Sequence, residues 1–290
     1  MAPDRFFGRT TPYRLIKCEQ CQLAWLADPP APEEMTHHYG AIYDRFIKKA
    51  TENDSLGHWQ GALRTLNEYR QQGRLLDLGC GAGSFLRCLD SSSWNLWGIE
   101  MSADSAELAR SRTKAAIIVD DILEAPFPPS LFDVITGFHV LEHTYSPQDI
   151  IRKVYEWLKP GGILYLHVPN IDSAELRLFG SYWYPLELPR HLFHFSPASL
   201  RRLLRSAGFK ECGLITSRAS FVEYSLRYLT DEMLRKAGLE RPSLADSNTP
   251  GLVWRVIRKG LRVTVLPVAN WFIGLTGGGS IIEAVFEKPV

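Results

Sequence analysis

From Arg74 to Val168 the chain alternates short apolar or β-branched runs with segments of helical period, and few architectures accept such a pattern. RLLDLG (74–79), WNLWGIE (94–100), AAIIVD (115–120), FDVITGF (132–138) and GILYLHV (162–168) are the strand candidates. Between them lie helix-like segments: 84–89, the stretch after Ser102 with that serine as N-cap, and SPQDIIRKVYEWLKPGG, with Pro147 in its first turn and Gly161 past its end. Repeated strand–helix units of this kind predict a parallel sheet in an α/β domain.

After Val168 the alternation breaks into PNIDSAELRLFGSYWYPLELPRHLFHF (169–195), which reads as a long functional insertion or lid. SPASLRRLLRSAGF then reads as an amphipathic helix, KECGLITSR as a strand and 221–237 as a helix. Residues 238–250 read as a polar linker, and SIIEAVFEKP (280–289) as a last strand. The domain plan is an N-terminal segment over 1–50, a main domain over 51–218, a helical insertion over 219–278 and a closing strand over 279–290.

Lys and Arg number 33 against 32 Asp and Glu, so the net charge is +1 and nothing draws the whole molecule to a polyanion. No nucleic acid partner is expected. Five cysteines in 290 residues are too few for a disulfide scaffold and suit a reducing cytoplasm. The N-terminus carries no signal-peptide core, and the longest apolar stretch, 263–275, falls short of the roughly 20 residues that span a bilayer. Residues 251–275 mix arginines and lysine with large apolar side chains, which suits a membrane surface, a sheet cover or a dimer contact.

LLDLGCGAG puts Gly79, Gly81 and Gly83 directly after the first strand, where missing side chains let a ligand approach the backbone. A dinucleotide fingerprint wants Gly or Ala where Ser84 stands, so a nicotinamide-dependent oxidoreductase fits imperfectly. Asp77, before the glycines, opposes phosphates and suits an ammonium. Glu100, ending the second strand, suits ribose hydroxyls. Asp121, after the third, suits an adenine amine, with Ile122 beside it. The bland alternative makes these acids helix caps or solvated loop ends.

In these residues the chain resembles a class I S-adenosylmethionine (SAM)-dependent methyltransferase. LLDLGCGAGSFL, GIEMS, VDDILEAPFP, FDVITGFHVLEH and LKPGG follow the family's order across about 74–166. The resemblance implies a Rossmann-like, doubly wound, seven-stranded sheet, mostly parallel with an antiparallel last strand. It assigns Asp77, Gly79, Gly81 and Gly83 to the methionine half of SAM, Glu100 to the ribose, Met101 to one adenine face, and Asp121 and Ile122 to the adenine edge.

The string His139-Val140-Leu141-Glu142-His143 matches a zinc-peptidase pattern, H-x-x-E-H, which needs its ligands on one helix. Here it follows a strand and precedes Pro147, at the carboxyl edge of the expected sheet, so the peptidase reading fails. A methyl transfer to oxygen, nitrogen or carbon needs a placed nucleophile and a proton acceptor. His143 is the expected base, because an imidazole titrates near neutrality, with Glu142 orienting it or the substrate. The segment resembles that of ubiquinone-pathway and sugar methyltransferases, and more distantly an E-x-x-E-H pattern that binds a divalent ion. Two readings follow: His139, Glu142, His143 and His194 as a metal set, or His191 and His194 as packing residues that fix the lid.

The front of the chain resembles bacterial methyltransferases that begin with a zinc ribbon and a Tyr-bearing lid. Only Cys18 and Cys21 of the usual four ligands are present, with His37 and His38 as substitutes. Tyr39 and Tyr43 either close over the substrate or pack in a core. Trp183 and Tyr184 offer flat surface to a sugar or aromatic acceptor. The reading is a cytoplasmic enzyme O-methylating a small or carrier-linked acceptor; its rivals are the oxidoreductase and a non-catalytic SAM-fold binding protein.

Overall fold

A computed structural model describes residues 1–9, 11–39, 56–217, 221–238, 260 and 278–290. The chain divides into two compact units, one of Met1–Asp44, Pro169–Ser199 and Thr216–Ile282, the other of Arg45–Val168, Leu200–Ile215 and Glu283–Val290.

The second unit is built on a seven-stranded sheet. Its strands are β1 (Gly73–Leu78), β2 (Trp94–Glu100), β3 (Ala116–Val119), β4 (Phe132–Phe138), β5 (Leu158–Pro169), β6 (Lys210–Ser217) and β7 (Ile281–Glu287), in the order β6-β7-β5-β4-β1-β2-β3. Pairs β1–β2, β1–β4, β2–β3 and β4–β5 are parallel. Strand β7 is antiparallel to β5: Gly161 donates to Lys288 O at 2.7 Å and Asn170 to Ser280 O at 2.9 Å, so one strand number rises as the other falls. The expected final strand and sheet class are therefore present. Because β2 and β3 lie on one side of β1 and β4 on the other, the connections diverge between β1 and β4. Sheets of this kind bind ligands at such a crevice, outside the carboxyl ends.

Helices α1 (Leu56–Tyr69), α2 (Ala103–Arg112), α3 (Pro147–Trp157) and α4 (Pro197–Ser206) accompany the sheet. Ala62, Leu66, Ala106 and Ala109 join Leu75, Leu96, Val134 and Tyr165 in one core. Helix α3 buries Pro147, Ile150, Ile151, Val154 and Trp157, an i, i+3, i+4, i+7 stripe. Each large apolar member contributes roughly 1.5–3 kcal/mol. Ser102 caps α2 by accepting the Ser105 amide at 3.3 Å, as its position predicts.

Two local expectations change. Residues 84–89 form only a short 3-10 turn over Leu86–Cys88, since the chain has six residues between Gly83 and the Asp90 turn, where that carboxylate holds Ser92 and Ser93. The LKPGG segment does not trail off α3 but opens β5, which starts at Leu158.

In the first unit, Leu15–Lys17 and Ala24–Leu26 form a hairpin, and Phe193–His194 adds to it antiparallel, with Phe193 opposite Trp25. A helix over 32–39 and the helices Ala174–Phe179 and Val222–Lys236 complete it. Leu26, Met35, Phe179, Trp183, Leu188 and Val222 are among its core residues. At its centre Asp4 and Arg190, 0% and 1% exposed, pair at 3.4 Å; His38 Nδ1 meets Asp4 at 3.1 Å and Arg190 Nε donates to Glu187 at 3.1 Å. The domain plan drawn from sequence kept 1–50 apart from the 169–195 insertion. Strand pairing and this buried ion pair instead join the described residues of 1–39 to that insertion. Residues 251–275, save Gly260, and Tyr43 lie outside the described residues. Among the described residues no helix is long and apolar enough to cross a membrane.

Candidate active site

Strand β1 delivers the chain into the glycine loop, and all three loop glycines have positive φ: 56° at Gly79, 52° at Gly81 and 74° at Gly83. Their surroundings differ. A Cβ at Gly79 would lie 2.8 Å from Val140 Cγ2, and one at Gly83 2.9 Å from Thr113 Cγ2, so both allow close packing. A Cβ at Gly81 would meet nothing within 4 Å. Gly81 thus borders open space at the crevice, as a loop that receives a ligand on its backbone requires.

Two carboxylates frame this loop. Glu100, at the end of β2, accepts the Gly81 amide at 2.9 Å through Oε2 and the Ser102 amide at 2.8 Å through Oε1. It fixes the loop and the start of α2 together. Asp77, 3% exposed, accepts from Thr136 Oγ1 of β4 at 2.7 Å. Burial pushes its carboxyl up to about 7, against the Thr136 hydrogen bond and helped by the Glu100 charge. A buried carboxylate beside a second acid suits a cationic ligand, whose charge favours ionisation.

Around the ends of β2 and β3 the other expected residues are spread by exposure. Met101 is 72% exposed, and Ile122 is buried. Asp121 is exposed, and its Oδ1 accepts the Leu123 amide at 2.7 Å, so a local turn orients the carboxylate.

The histidine turn leaves the end of β4. His139 has φ 58°, and its amide donates to His167 O at 2.9 Å. Its Nδ1 lies 3.1 Å from Oε1 of Glu142, which is 1% exposed, while the Glu142 Oε2 is buried with no hydrogen-bond partner among the described residues. The expected orienting carboxylate therefore holds His139. His143 ends the 3-10 turn Leu141–His143, half-buried. Glu142 and His143 offer metal-capable atoms within 4.8 Å of one another, while Glu142 Oε1 also meets His139.

Sequence reasoning passed over Thr136, Tyr165, His167 and Glu283. His167 Nε2 lies 2.8 Å from the Tyr165 hydroxyl, which donates to Glu283 Oε2 at 3.2 Å. The signal for two of them was present: Thr136 and His167 are polar residues inside mostly apolar strand runs, FDVITGF and GILYLHV.

In the other unit, Trp183 is 1% exposed and its Nε1 donates to Glu175 Oε2 at 3.4 Å, so it is a core residue and presents no open face. Tyr184 lies against Phe221, Tyr224 and Tyr228. His191 Nδ1 meets Pro185 O at 2.8 Å and its Nε2 lies 3.5 Å from Glu187. His194, buried, sits on the strand added to the hairpin. Tyr39 packs on the unit's core. Cys18 and Cys21 flank the hairpin turn and, among the described residues, belong to no group of three metal-capable side chains, so the ribbon reading lacks its ligands.

A sheet of order 6-7-5-4-1-2-3 with β7 antiparallel, and a glycine loop held by an acid at the end of β2, define the Rossmann-like class I methyltransferase architecture. The chain belongs to the SAM-dependent methyltransferase family: a family model described as a methyltransferase domain matches residues 36–211. It is 30% identical over 172 residues to the 27-O-demethylrifamycin SV methyltransferase of Amycolatopsis mediterranei, covering 50% of this chain and 63% of that protein. It is 30% identical over 149 residues to the ubiquinone biosynthesis O-methyltransferase of Xanthomonas euvesicatoria pv. vesicatoria, covering 47% and 62%. The matches thus span under two thirds of these relatives' length. In fold it resembles the phosphoethanolamine N-methyltransferase 2 of Haemonchus contortus, solved with SAM, with a TM-score of 0.61, 17% identity, and 92% of this chain and 62% of that one covered.

Proposed function

We propose that the chain transfers a methyl group from SAM to a hydroxyl oxygen of a small or carrier-linked acceptor. The observation that carries this is the pairing of Glu100 with the Gly81 amide beside buried Asp77, at the point where the sheet connections diverge. The residues present fit the cofactor. Asp77 suits the ammonium, the open side of Gly81 the methionine backbone, Glu100 the ribose, and Met101, Asp121 and Ile122 the adenine. When bound, SAM supplies a methyl group on a positively charged sulfur.

The acceptor hydroxyl must lose its proton as its oxygen forms the new bond to carbon and the sulfur keeps the old bonding pair. A histidine of the β4 rim takes that proton. His143 is the candidate from sequence, but Glu142 holds His139, and a carboxylate that fixes one ring nitrogen leaves the other to accept; this favours His139 as base. Two sequence relatives are named as O-methyltransferases or act, by name, at an O-demethylated site, which supports oxygen over nitrogen or carbon. Sugars, quinone precursors and polyketide-like molecules remain the acceptor classes. Extracts incubated with the protein and methyl-labelled SAM test the proposal: a labelled, enzyme-dependent small-molecule product supports it, and label found only in protein or nucleic acid refutes the acceptor class.

A further inference from the structure

His167 stands on β5 beside the histidine rim, and its hydrogen bonds fix where its proton resides. The Tyr165 hydroxyl, 1% exposed as a residue, has one hydrogen, which it donates to Glu283 Oε2 at 3.2 Å. An ionised carboxylate only accepts, so the phenol oxygen meets the imidazole as an acceptor. His167 Nε2, 2.8 Å from that oxygen and 3.6 Å from Glu283, must therefore carry the hydrogen. Burial, with the nearby His139 and His58, pushes the imidazole down to about 3, so the ring is neutral near pH 7. A neutral ring protonated on Nε2 leaves Nδ1 as a bare acceptor. The ring is locked further by its edge contact with Phe138, centroids 4.6 Å apart, and Trp59 lies 5.1 Å from Phe138. The His167 carbonyl receives the His139 amide, so this acceptor adjoins the proposed base.

We infer that His167 is a positioning residue: its Nδ1 is a fixed, uncharged acceptor that receives a hydroxyl of the methyl acceptor, next to the aromatic wall of Phe138 and Trp59. The site then selects acceptors with a donor beside an aromatic or flat ring, and disfavours the same ring with its hydroxyls masked. The ligand assignment rests on the methyl-transfer reading; the tautomer does not.

Nitrogen NMR of histidine-labelled full-length protein tests both parts, with His167→Phe assigning the signal and catechol and 1,2-dimethoxybenzene as probes. The expected spectrum has Nε2 protonated and Nδ1 unprotonated from about pH 6 to pH 8, with Nδ1 shifting on addition of catechol and not of the dimethoxy compound. His167→Phe should weaken catechol binding about five- to tenfold, as loss of one neutral hydrogen bond implies, and His167→Asn, whose amide oxygen can take the place of Nδ1, should restore most of it. A proton on Nδ1, no Nδ1 response to catechol, or equal responses to both probes overturns the inference. Calorimetry with SAM on the same samples separates the failures: intact SAM binding with the wrong tautomer sinks only this inference, whereas absent SAM binding sinks the methyl-transfer reading and leaves the tautomer standing.

Discussion

Glu100 accepts the Gly81 amide at 2.9 Å, a bond that joins the end of β2 to the glycine loop across 19 residues of chain. The same carboxylate holds Ser102. Removing it frees two backbone donors and the loop they position. Glu100→Ala should weaken SAM binding by about 100-fold, on the basis of about 1.5–3 kcal/mol for a hydrogen bond to a charged group. Glu100→Gln, which keeps one acceptor, should fall between; calorimetric titration of the three proteins checks the order.

The glycines should separate fold from ligand. Gly81→Ala meets open space and bears only the left-handed backbone cost of about 1–2 kcal/mol, so it folds yet loses cofactor affinity. Gly79→Ala bears that cost and also drives a methyl into Val140 at 2.8 Å. Its melting temperature should drop further than that of Gly81→Ala; an equal drop in both would show that Val140 yields freely.

Asp77 makes binding depend on pH. With its carboxyl raised to about 7 in the free protein, it is mainly protonated below that pH, and an ammonium ligand must displace the proton. SAM affinity should rise up to tenfold per pH unit through about pH 5 to 7 and then level off. In the free protein the sign reverses. The unfolded carboxyl ionises near the ordinary 3.8 and the folded one near 7, so this group lowers stability as pH climbs between them, by on the order of a few kcal/mol. Asp77→Asn should therefore stabilise the free protein at pH 8 while abolishing SAM binding, a combination that denaturation and calorimetry read separately.

The two rim histidines should differ. His139→Asn, chosen because asparagine tolerates the left-handed backbone, and Glu142→Gln should each lower methyl-transfer turnover, the first by about 100-fold or more, with SAM affinity nearly unchanged. His143→Ala should cost less. A larger loss at His143 than at His139 returns the base to the position read from sequence.

Arg190→Leu leaves the Asp4 carboxylate, 0% exposed, with His38 but without its guanidinium. Breaking a buried pair from one side costs about 3–5 kcal/mol. Chemical denaturation should show that loss, and limited proteolysis should find the unit of 1–44 and 169–199 opened first.

Much of the sheet was legible because its signals are local and periodic: β2 and β4 fall on the expected residues, and Ser102 caps α2 as its place before the helix implies. The glycine loop was legible for a similar reason, as its chemistry is packed into a few adjacent positions. What escaped depends on partners distant in sequence. Asp4 and Arg190 are 186 positions apart, Tyr165 and Glu283 are 118 apart, and no spacing rule links them. Trp183 looked like a ligand platform because composition cannot tell a buried indole from an exposed one. Glu142 could turn to either neighbouring histidine, and its contact with His139 accompanies a left-handed backbone there that the sequence does not announce.

Calorimetric titration of SAM into the wild-type chain, Asp77→Ala and Glu100→Ala tests the central claim most directly, with NADH as the competing ligand. Saturable binding of SAM but not NADH, lost or weakened about 100-fold in both variants, is the predicted result. Absence of SAM binding in a folded wild-type protein, or undiminished binding in both variants, would contradict it.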